Sequence, residues 1–358
     1  MEIKKRFIEC YIPCSICNLQ CEYCYVIQQN RRKDLIENLK YPVDRMVKGL
    51  TKNRLGGTCY FSICAVGETL LPDYIIPLVR GILANGHFVN ITNNGTATKR
   101  IEQLCELDSS LLKHLHFSFS FHYLELKKRN LIDVFFNNIQ RVKKAGCSFI
   151  LKLNLCDSYI AELDNIKKIC LEKLGQLPVV SITRKQLPNG KMDLFTNDKG
   201  AYIKAGNSFN SKMFSFTNRF FNERRKEFCY AGDWAFLLNF ETGVMSKCYS
   251  NPEGAIDIFK DINRPIRFEA IGRHCKSGFC VNADHFISQG IIPSVKCDGY
   301  ADIRTDGDRS WYSADFCSFV NQKLYDYNKQ YGWFKKMNLN LRYFILRQKK
   351  RLSKMRHK

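Results

Sequence analysis

Along the first half of the chain, short runs of β-branched and aromatic residues alternate with longer stretches whose apolar positions recur every three or four residues. The runs at 7–12, 58–63, 87–92, 115–121, 148–155 and 179–183 predict strands, and the stretches at 43–54, 73–84, 99–107, 131–144 and 160–174 predict helices. Gly86, Gly146 and Gly175 stand where three of these helices should stop, because a residue without a Cβ adopts the left-handed closing turn without steric cost. Regular βα succession implies parallel strands with helices outside. The sheet is then doubly wound, or a complete or partial barrel, with its chemistry at the C-terminal ends of the strands. Beyond about 184 the alternation fades into a Lys-, Asn- and Phe-rich stretch, and a cysteine-bearing segment with hairpin character begins at Cys229. The expected division is a barrel over 1–190, a linker over 191–228, a cysteine-rich domain over 229–300 and an extension over 301–358.

Seventeen cysteines in 358 residues change the picture. No run approaches the roughly 18 apolar residues of a membrane span, and Lys4, Lys5 and Arg6 lead into too short an apolar stretch for a signal peptide. The thiols are therefore read as reduced and the protein as cytoplasmic, with metal ligation the leading use of the cysteines. The net charge of +22 is uneven, since residues 323–358 hold twelve basic residues and one acidic. Such a surface favours anionic partners: an acidic electron donor, a nucleotide-bearing substrate or a phospholipid surface.

The first strand is followed at once by CNLQCEYCY, where Cys17, Cys21 and Cys24 form a C-x3-C-x2-C loop. Three thiolates at that spacing can hold three irons of a [4Fe-4S] cluster and leave the fourth open. An open iron is what S-adenosylmethionine (SAM) needs in order to chelate through its amine and carboxylate and be reductively cleaved. Tyr23 supplies an aromatic residue before the last cysteine, and Asn18 and Leu19 follow the first. On these residues the sequence resembles the radical SAM superfamily. Cys10, Cys14 and Cys17 repeat the spacing in a second register, which is set aside because Ile16 replaces the aromatic residue and Cys10 falls inside the strand. A zinc knuckle is the alternative use of the favoured triad.

Later strand ends extend the resemblance. Val66, Gly67, Glu68 and Thr69 stand where the family has Gly-Gly-Glu-Pro, which receives the amino group of SAM; Gly67 and Glu68 match, and Val66 and Thr69 depart. Thr92, Asn93, Asn94, Gly95 and Thr96 resemble the family's Thr-Asn-Gly turn, and Ser118, Ser120 and His122 alternate along the fourth strand, where the family places a polar residue near the ribose or the methionine carboxylate. The resemblance thus implies Cys17, Cys21 and Cys24 as catalytic cluster ligands. It implies Tyr23, Gly67, Glu68, Thr69, Asn93, Asn94, Ser118 and Ser120 as SAM-binding residues. Lys152 and Asn154 on the fifth strand are read either as inward contacts or as structural, and the family's glycine-rich sixth-strand motif is absent from 179–184.

Cys229 is followed by thirteen residues, Gly243, four more and Cys248, and the intervening FLLNFETGV reads as two strands joined at Thr242 and Gly243. That hairpin would return the two thiols toward each other. Cys275 and Cys280 follow in RHCKSGFC, with Gly278 between them for a tight turn. Four cysteines in two pairs can enclose a fully ligated cluster. The arrangement resembles the SPASM extension in its one-cluster twitch form, which implies one auxiliary [4Fe-4S] cluster held by Cys229, Cys248, Cys275 and Cys280, with Cys297 in reserve. A structural zinc in the same thiols is the alternative. Cys59, Cys64, Cys105, Cys147, Cys156, Cys170 and Cys317 are read as packing residues.

The fold implied is α/β, a partial (β/α)6 TIM-type barrel with a small twitch/SPASM-like domain and a basic C-terminal tail. The activity implied is reductive cleavage of SAM to a 5′-deoxyadenosyl radical, with electrons from a flavodoxin or ferredoxin, and removal of a hydrogen atom from substrate. The main expectation is oxidation or rearrangement of a small or carbohydrate-like anionic substrate, from the single auxiliary cluster and the positive body, with mild support from a strand beginning by Phe7, which leaves no room for the N-terminal peptide-binding domain of many peptide-modifying relatives. A peptide maturase is the alternative, and a non-catalytic Fe-S or zinc protein that binds nucleic acid is the third. In the tail, Trp333, Phe334, Met337, Leu341, Phe344 and Ile345 recur at spacings of three to four among Lys335, Lys336, Arg342, Arg347, Lys349, Lys350, Arg351 and Lys354. That pattern predicts a basic amphipathic helix, able either to pack against the barrel or to lie peripherally on an anionic membrane. No recognised nucleic-acid module accompanies it, so nucleic acid is not the expected partner.

Overall fold

The computed structural model of the chain describes residues 4–356 apart from 188–191, 250, 276, 278 and 306–308, and for 309 and 346–356 it describes the backbone alone. All six predicted strands form, as β1 (Lys4–Ile12), β2 (Gly57–Ala65), β3 (Phe88–Asn93), β4 (Leu115–Ser120), β5 (Ser148–Asn154) and β6 (Val179–Ser181). They pair in parallel in sequence order, and β6 ends the sheet, so the barrel is partial. Strands covered on both faces are near-continuously apolar, as parallel sheets require. The helix Ile75–Ala84 buries Ile75, Leu78, Val79, Ile82 and Leu83 against the outside, and Ile132–Lys144 and Leu163–Leu174 follow β4 and β5. The inner face is polar in part, with Asn90 Nδ2 donating to Ser62 Oγ at 3.2 Å and Ser118 Oγ donating to Asn90 Oδ1 at 2.9 Å.

The N-terminal ends of the strands are stoppered by the helix Ala314–Asn321. Phe319 stacks on Phe88 at 4.0 Å and Phe316 on His116 at 4.6 Å, both at strand starts. Ser313 N donates to Ser148 Oγ at 2.7 Å, and the buried Lys5 ammonium donates to the carbonyls of Phe319 and Gln322. The stretch just beyond 301, expected as an extension, therefore closes the bottom of the barrel, and only the C-terminal end of the strands is left for chemistry.

Other expectations are corrected. Residues 43–54 form two helices, Val43–Lys48 and Lys52–Leu55, because the Thr51 side chain accepts from Arg54 N at 3.4 Å and starts a new one. Helix 160–174 begins as a 3-10 turn, Asp157–Glu162, before Leu163–Leu174. The stretch 191–228 is not an open linker: β7 (Arg184–Gln186) and β8 (Met192–Leu194) pair as a hairpin, and the helices Lys199–Asn207 and Lys212–Phe220 follow. The phenylalanines that gave the stretch its unusual composition are the core face of the second helix, which buries Phe214, Phe216 and Phe220.

The cysteine-rich hairpin continues the barrel sheet. β9 (Ala235–Asn239) pairs in parallel with β1, in register from Phe7↔Ala235 to Tyr11↔Asn239; β10 (Val244–Ser246) pairs antiparallel with β9, and β11 (Ile256–Asp257) antiparallel with β10. The turn falls where the sequence placed it, and Gly243 takes φ +74 there with Asp257 Oδ1 only 2.8 Å from where a Cβ would stand.

Candidate functional site

The loop after β1 crosses the C-terminal end of the barrel and is held by its neighbours. Gly67 N donates to Cys14 O and Glu68 N to Ile16 O, each at 2.7 Å. A Cβ on Gly67 would lie 2.1 Å from Ile16 O, so only glycine lets the loop after β2 approach the cysteine loop this closely. Arg32 donates to the carbonyls of Cys17 and Leu19, and Gln20 N donates to Glu125 Oε2 at 2.8 Å. Cys17, Cys21 and Cys24 share this one loop, where Cys24 N donates to Cys21 O at 3.0 Å; burial raises the pKa of Cys21, and the charges of Cys17 and Cys24 raise it further. Cys10 is buried inside β1, and the buried Cys14 turns its thiol toward Ile16 O at 3.7 Å.

The residues expected to contact SAM stand around that loop and hydrogen-bond within it and to its neighbours. Burial lifts the Glu68 carboxyl to about 7, while its oxygens accept from Leu70 N at 3.0 Å and Asn94 N at 2.8 Å, tying the ends of β2 and β3 together. Thr69 Oγ1 accepts from Ala65 N at 3.1 Å, closing the turn. Asn93 Oδ1 accepts from Gly95 N at 2.9 Å. Asn94 Nδ2 donates to Asn18 Oδ1 at 2.8 Å and faces Cys17 Sγ at 3.8 Å. Tyr23 is buried, with its hydroxyl 2.7 Å from His122 Nδ1 and 3.2 Å from that of Tyr159. Ser118 bonds Asn90 inside the barrel, and Ser120 stands in register with Lys152.

Cys229, Cys248, Cys275 and Cys280 line one cavity together with Ile271, Phe279, Val281, Phe286, Ile291 and Ile292. Cys229 N donates to Gly272 O at 3.0 Å and Gly272 N back to Cys229 O at 2.9 Å, which brings the first thiol beside the segment carrying the second pair. The Cys280 thiol is raised by burial and then by Cys229, Cys248 and Cys275. Cys297 is not among the lining residues; its sulfur meets Ile287 O at 3.5 Å and Lys323 Nζ at 3.4 Å. Gly278 lies outside the described residues. Among the described residues no three His, Cys, Asp or Glu side chains are grouped so as to hold one metal ion. Four thiols around one cavity and three on one loop are donor sets of the kind that hold a [4Fe-4S] group or a zinc ion.

Sequence reasoning missed what lies between the two centres. The short helix Ala283–Phe286, just past Cys280, closes on the barrel interior. Asn282 Nδ2 donates to Glu9 Oε1 at 3.2 Å, and Asp284 takes Lys152 at 3.4 Å and the buried Arg304 at 3.1 Å. Burial works to raise Asp284, but Lys152, His285, Arg304 and Arg184 hold it well below the usual carboxylate range. Glu9 is pushed the other way, to about 7, by burial and by Asp284. Its Oε2 has no hydrogen-bond partner and lies 3.8 Å from His285 Nδ1. The Cys64 thiol, which points to Ala65 O at 3.3 Å, is raised to about 12 by burial and by the charges of Glu9 and Glu68. One signal was available, since a glutamate inside an apolar strand needs a reason.

The chain aligns with Streptococcus suis SuiB bound to S-adenosylmethionine over 72% of its own length and 64% of SuiB's, with 13% identity and a TM-score of 0.51. The chain has the fold of SuiB. The matched region spans just under two thirds of SuiB. Further matches are anSMEcpe with bound AdoMet, at 16% identity over 90% of this chain and 93% of that one with a TM-score of 0.49, and SuiB bound to precursor peptide SuiA, at 12% over 85% and 67% with a TM-score of 0.43. No family model matches the chain, and no curated protein matches it in sequence. The partial barrel implied by the radical SAM resemblance is the fold observed, and among the described residues no helix is long and apolar enough to cross a membrane.

Proposed function

We propose that the chain is a radical SAM enzyme that modifies a peptide. The observation that carries this reading is the placement of Cys17, Cys21 and Cys24 together on one loop braced at the C-terminal end of the strands of a partial barrel. When bound there, a three-ligand [4Fe-4S] cluster and SAM supply a 5′-deoxyadenosyl radical that removes a substrate hydrogen atom. The residues of the chain prepare the place for it. Gly67 lets the loops close, Glu68 and Asn94 fix the turn that faces Cys17, and the helix Ala314–Asn321 keeps water out from below. Glu9, with a free oxygen and a pKa near neutrality, is placed to accept the proton a substrate loses in a net oxidation. The departing electron would pass to an auxiliary group held by Cys229, Cys248, Cys275 and Cys280, and the cationic surface suits an acidic flavodoxin or ferredoxin as donor.

The peptide replaces the small anionic compound as first choice because SuiB, whose fold the chain shares, has been solved with a precursor peptide. The test is an anaerobic reaction of reconstituted protein with dithionite, SAM and a short peptide encoded beside its gene. Formation of 5′-deoxyadenosine together with loss of two hydrogens from the peptide is expected. Formation of 5′-deoxyadenosine with the peptide unchanged would return the small-substrate reading, and none at all would end the radical SAM reading.

A further inference from the structure

The helix Trp333–Arg356 runs for 24 residues, about 36 Å at 1.5 Å per residue. One narrow face fastens it to the body. Leu339 is 1% exposed, Tyr343 stacks on His274 at 4.3 Å and accepts from Lys247 Nζ at 3.1 Å, and Arg342 pairs with Glu269. The opposite face touches nothing comparable. Trp333, Phe334, Met337, Leu341, Phe344 and Ile345 are all exposed, Trp333 at 67% and Phe334 at 77%. At 3.6 residues per turn these six fall within an arc of about 120° whose midpoint lies opposite Leu339. The sequence left open whether this stripe packs on the barrel. The structure assigns that task to Leu339 and Tyr343 and leaves the stripe bare.

We propose that this face lies on an anionic membrane surface, with the stripe inserted at the headgroup boundary and the basic residues against lipid phosphate. A wide apolar arc headed by tryptophan and phenylalanine, in a segment 323–358 with twelve basic residues and one acidic, is what an interfacial helix requires. It is not a span, since no described helix is apolar enough to cross. A second copy of the chain suits the stripe less well, because pairing would bring two strongly cationic tails together. Nucleic acid would use the charge and leave the stripe exposed to water. The proposal does not depend on the radical chemistry.

The experiment uses the full chain. Of its three tryptophans, Trp234 and Trp311 are buried and Trp333 is exposed, so a shift in emission reports on the helix. With phosphatidylglycerol vesicles the protein is expected to co-sediment and its emission to move to shorter wavelength; with phosphatidylcholine vesicles neither should occur, and added salt should weaken binding. The triple variant Phe334→Ser/Leu341→Ser/Phe344→Ser should keep the wild-type melting temperature and bind on the order of a hundredfold more weakly. Undiminished binding of the variant, failure of the wild type to bind anionic vesicles, or a concentration-dependent dimer that the variant abolishes would each overturn the proposal. Binding to duplex DNA in place of vesicles would do the same.

Discussion

Cys17, Cys21 and Cys24 sit on one continuous loop, whereas Cys229, Cys248, Cys275 and Cys280 are gathered from a hairpin and a later segment joined through Gly272. The first set is braced by polar contacts from the ends of β2 and β3 and from Arg32 and Glu125. The second is lined by isoleucine, phenylalanine and valine together with Arg225, Glu227, Tyr249 and Ser277. Three thiolates on a four-iron cluster would leave an iron to be approached, while four would leave none. The same element type can therefore serve for chemistry in one place and for electron storage in the other. Glu9 and Asn282 join the two regions.

The largest effect that could break this comparison comes from the ligands themselves. Cys21→Ala should reduce 5′-deoxyadenosine formation to background, while Cys280→Ala should retain SAM cleavage and lose modified product. Equal losses in both assays for both variants would mean that the centres do not have separate tasks.

The glycines come next. Gly67→Ala forces a Cβ to 2.1 Å from Ile16 O and should cost about 1–3 kcal/mol in thermal unfolding together with SAM cleavage. Gly243→Ala, at φ +74, should cost on the order of 1–2 kcal/mol by strain and leave SAM cleavage intact, because it belongs to the other region.

A pH effect sharpens the picture further. The Glu68 carboxyl is raised by burial from 4.5 to about 7, so the folded protein binds its proton more tightly than the unfolded chain does. Stability from this group is present below the unfolded pKa and is lost as pH rises through about 7, by at most about 3 kcal/mol. Glu68→Gln should flatten that part of the stability profile, and a slope equal to wild type would contradict the assignment. Smallest is Asn94→Ala, which removes a donor facing Cys17 Sγ at 3.8 Å. Hydrogen bonds to the sulfurs raise a cluster's potential, so the first centre should become harder to reduce while the second keeps its potential.

Much of this was legible in the sequence, for identifiable reasons. The six strands follow from uninterrupted β-branched and aromatic runs that parallel pairing buries on both faces. The first cysteine loop is local, so its spacing alone specifies it. The turn at Gly243 was legible because only a residue free to take positive φ serves there. What escaped is non-local. The phenylalanines of Lys212–Phe220 resemble a linker composition until the helix is seen to bury them. β9 pairs with β1 across more than two hundred residues, which no window reveals. The bonds that Glu68 and Asn94 make within the fold depend on which groups stand opposite them, which the sequence does not show. Side chains beyond Ile345, including Arg347, Lys349, Lys350, Arg351 and Lys354, lie outside those described, although the backbone there is helical to Arg356.

The central claim is that SAM is bound at the three-thiol centre and not at the four-thiol one. Electron paramagnetic resonance of the anaerobically reduced protein, with and without SAM, tests it most directly when made on wild type, Cys21→Ala and Cys229→Ala/Cys248→Ala. The account predicts about eight irons per chain in wild type and about four in the double variant, whose remaining signal still shifts on addition of SAM, while Cys21→Ala gives a signal that SAM leaves unchanged. A SAM-sensitive signal that survives Cys21→Ala, or one that vanishes with Cys229 and Cys248, would contradict it.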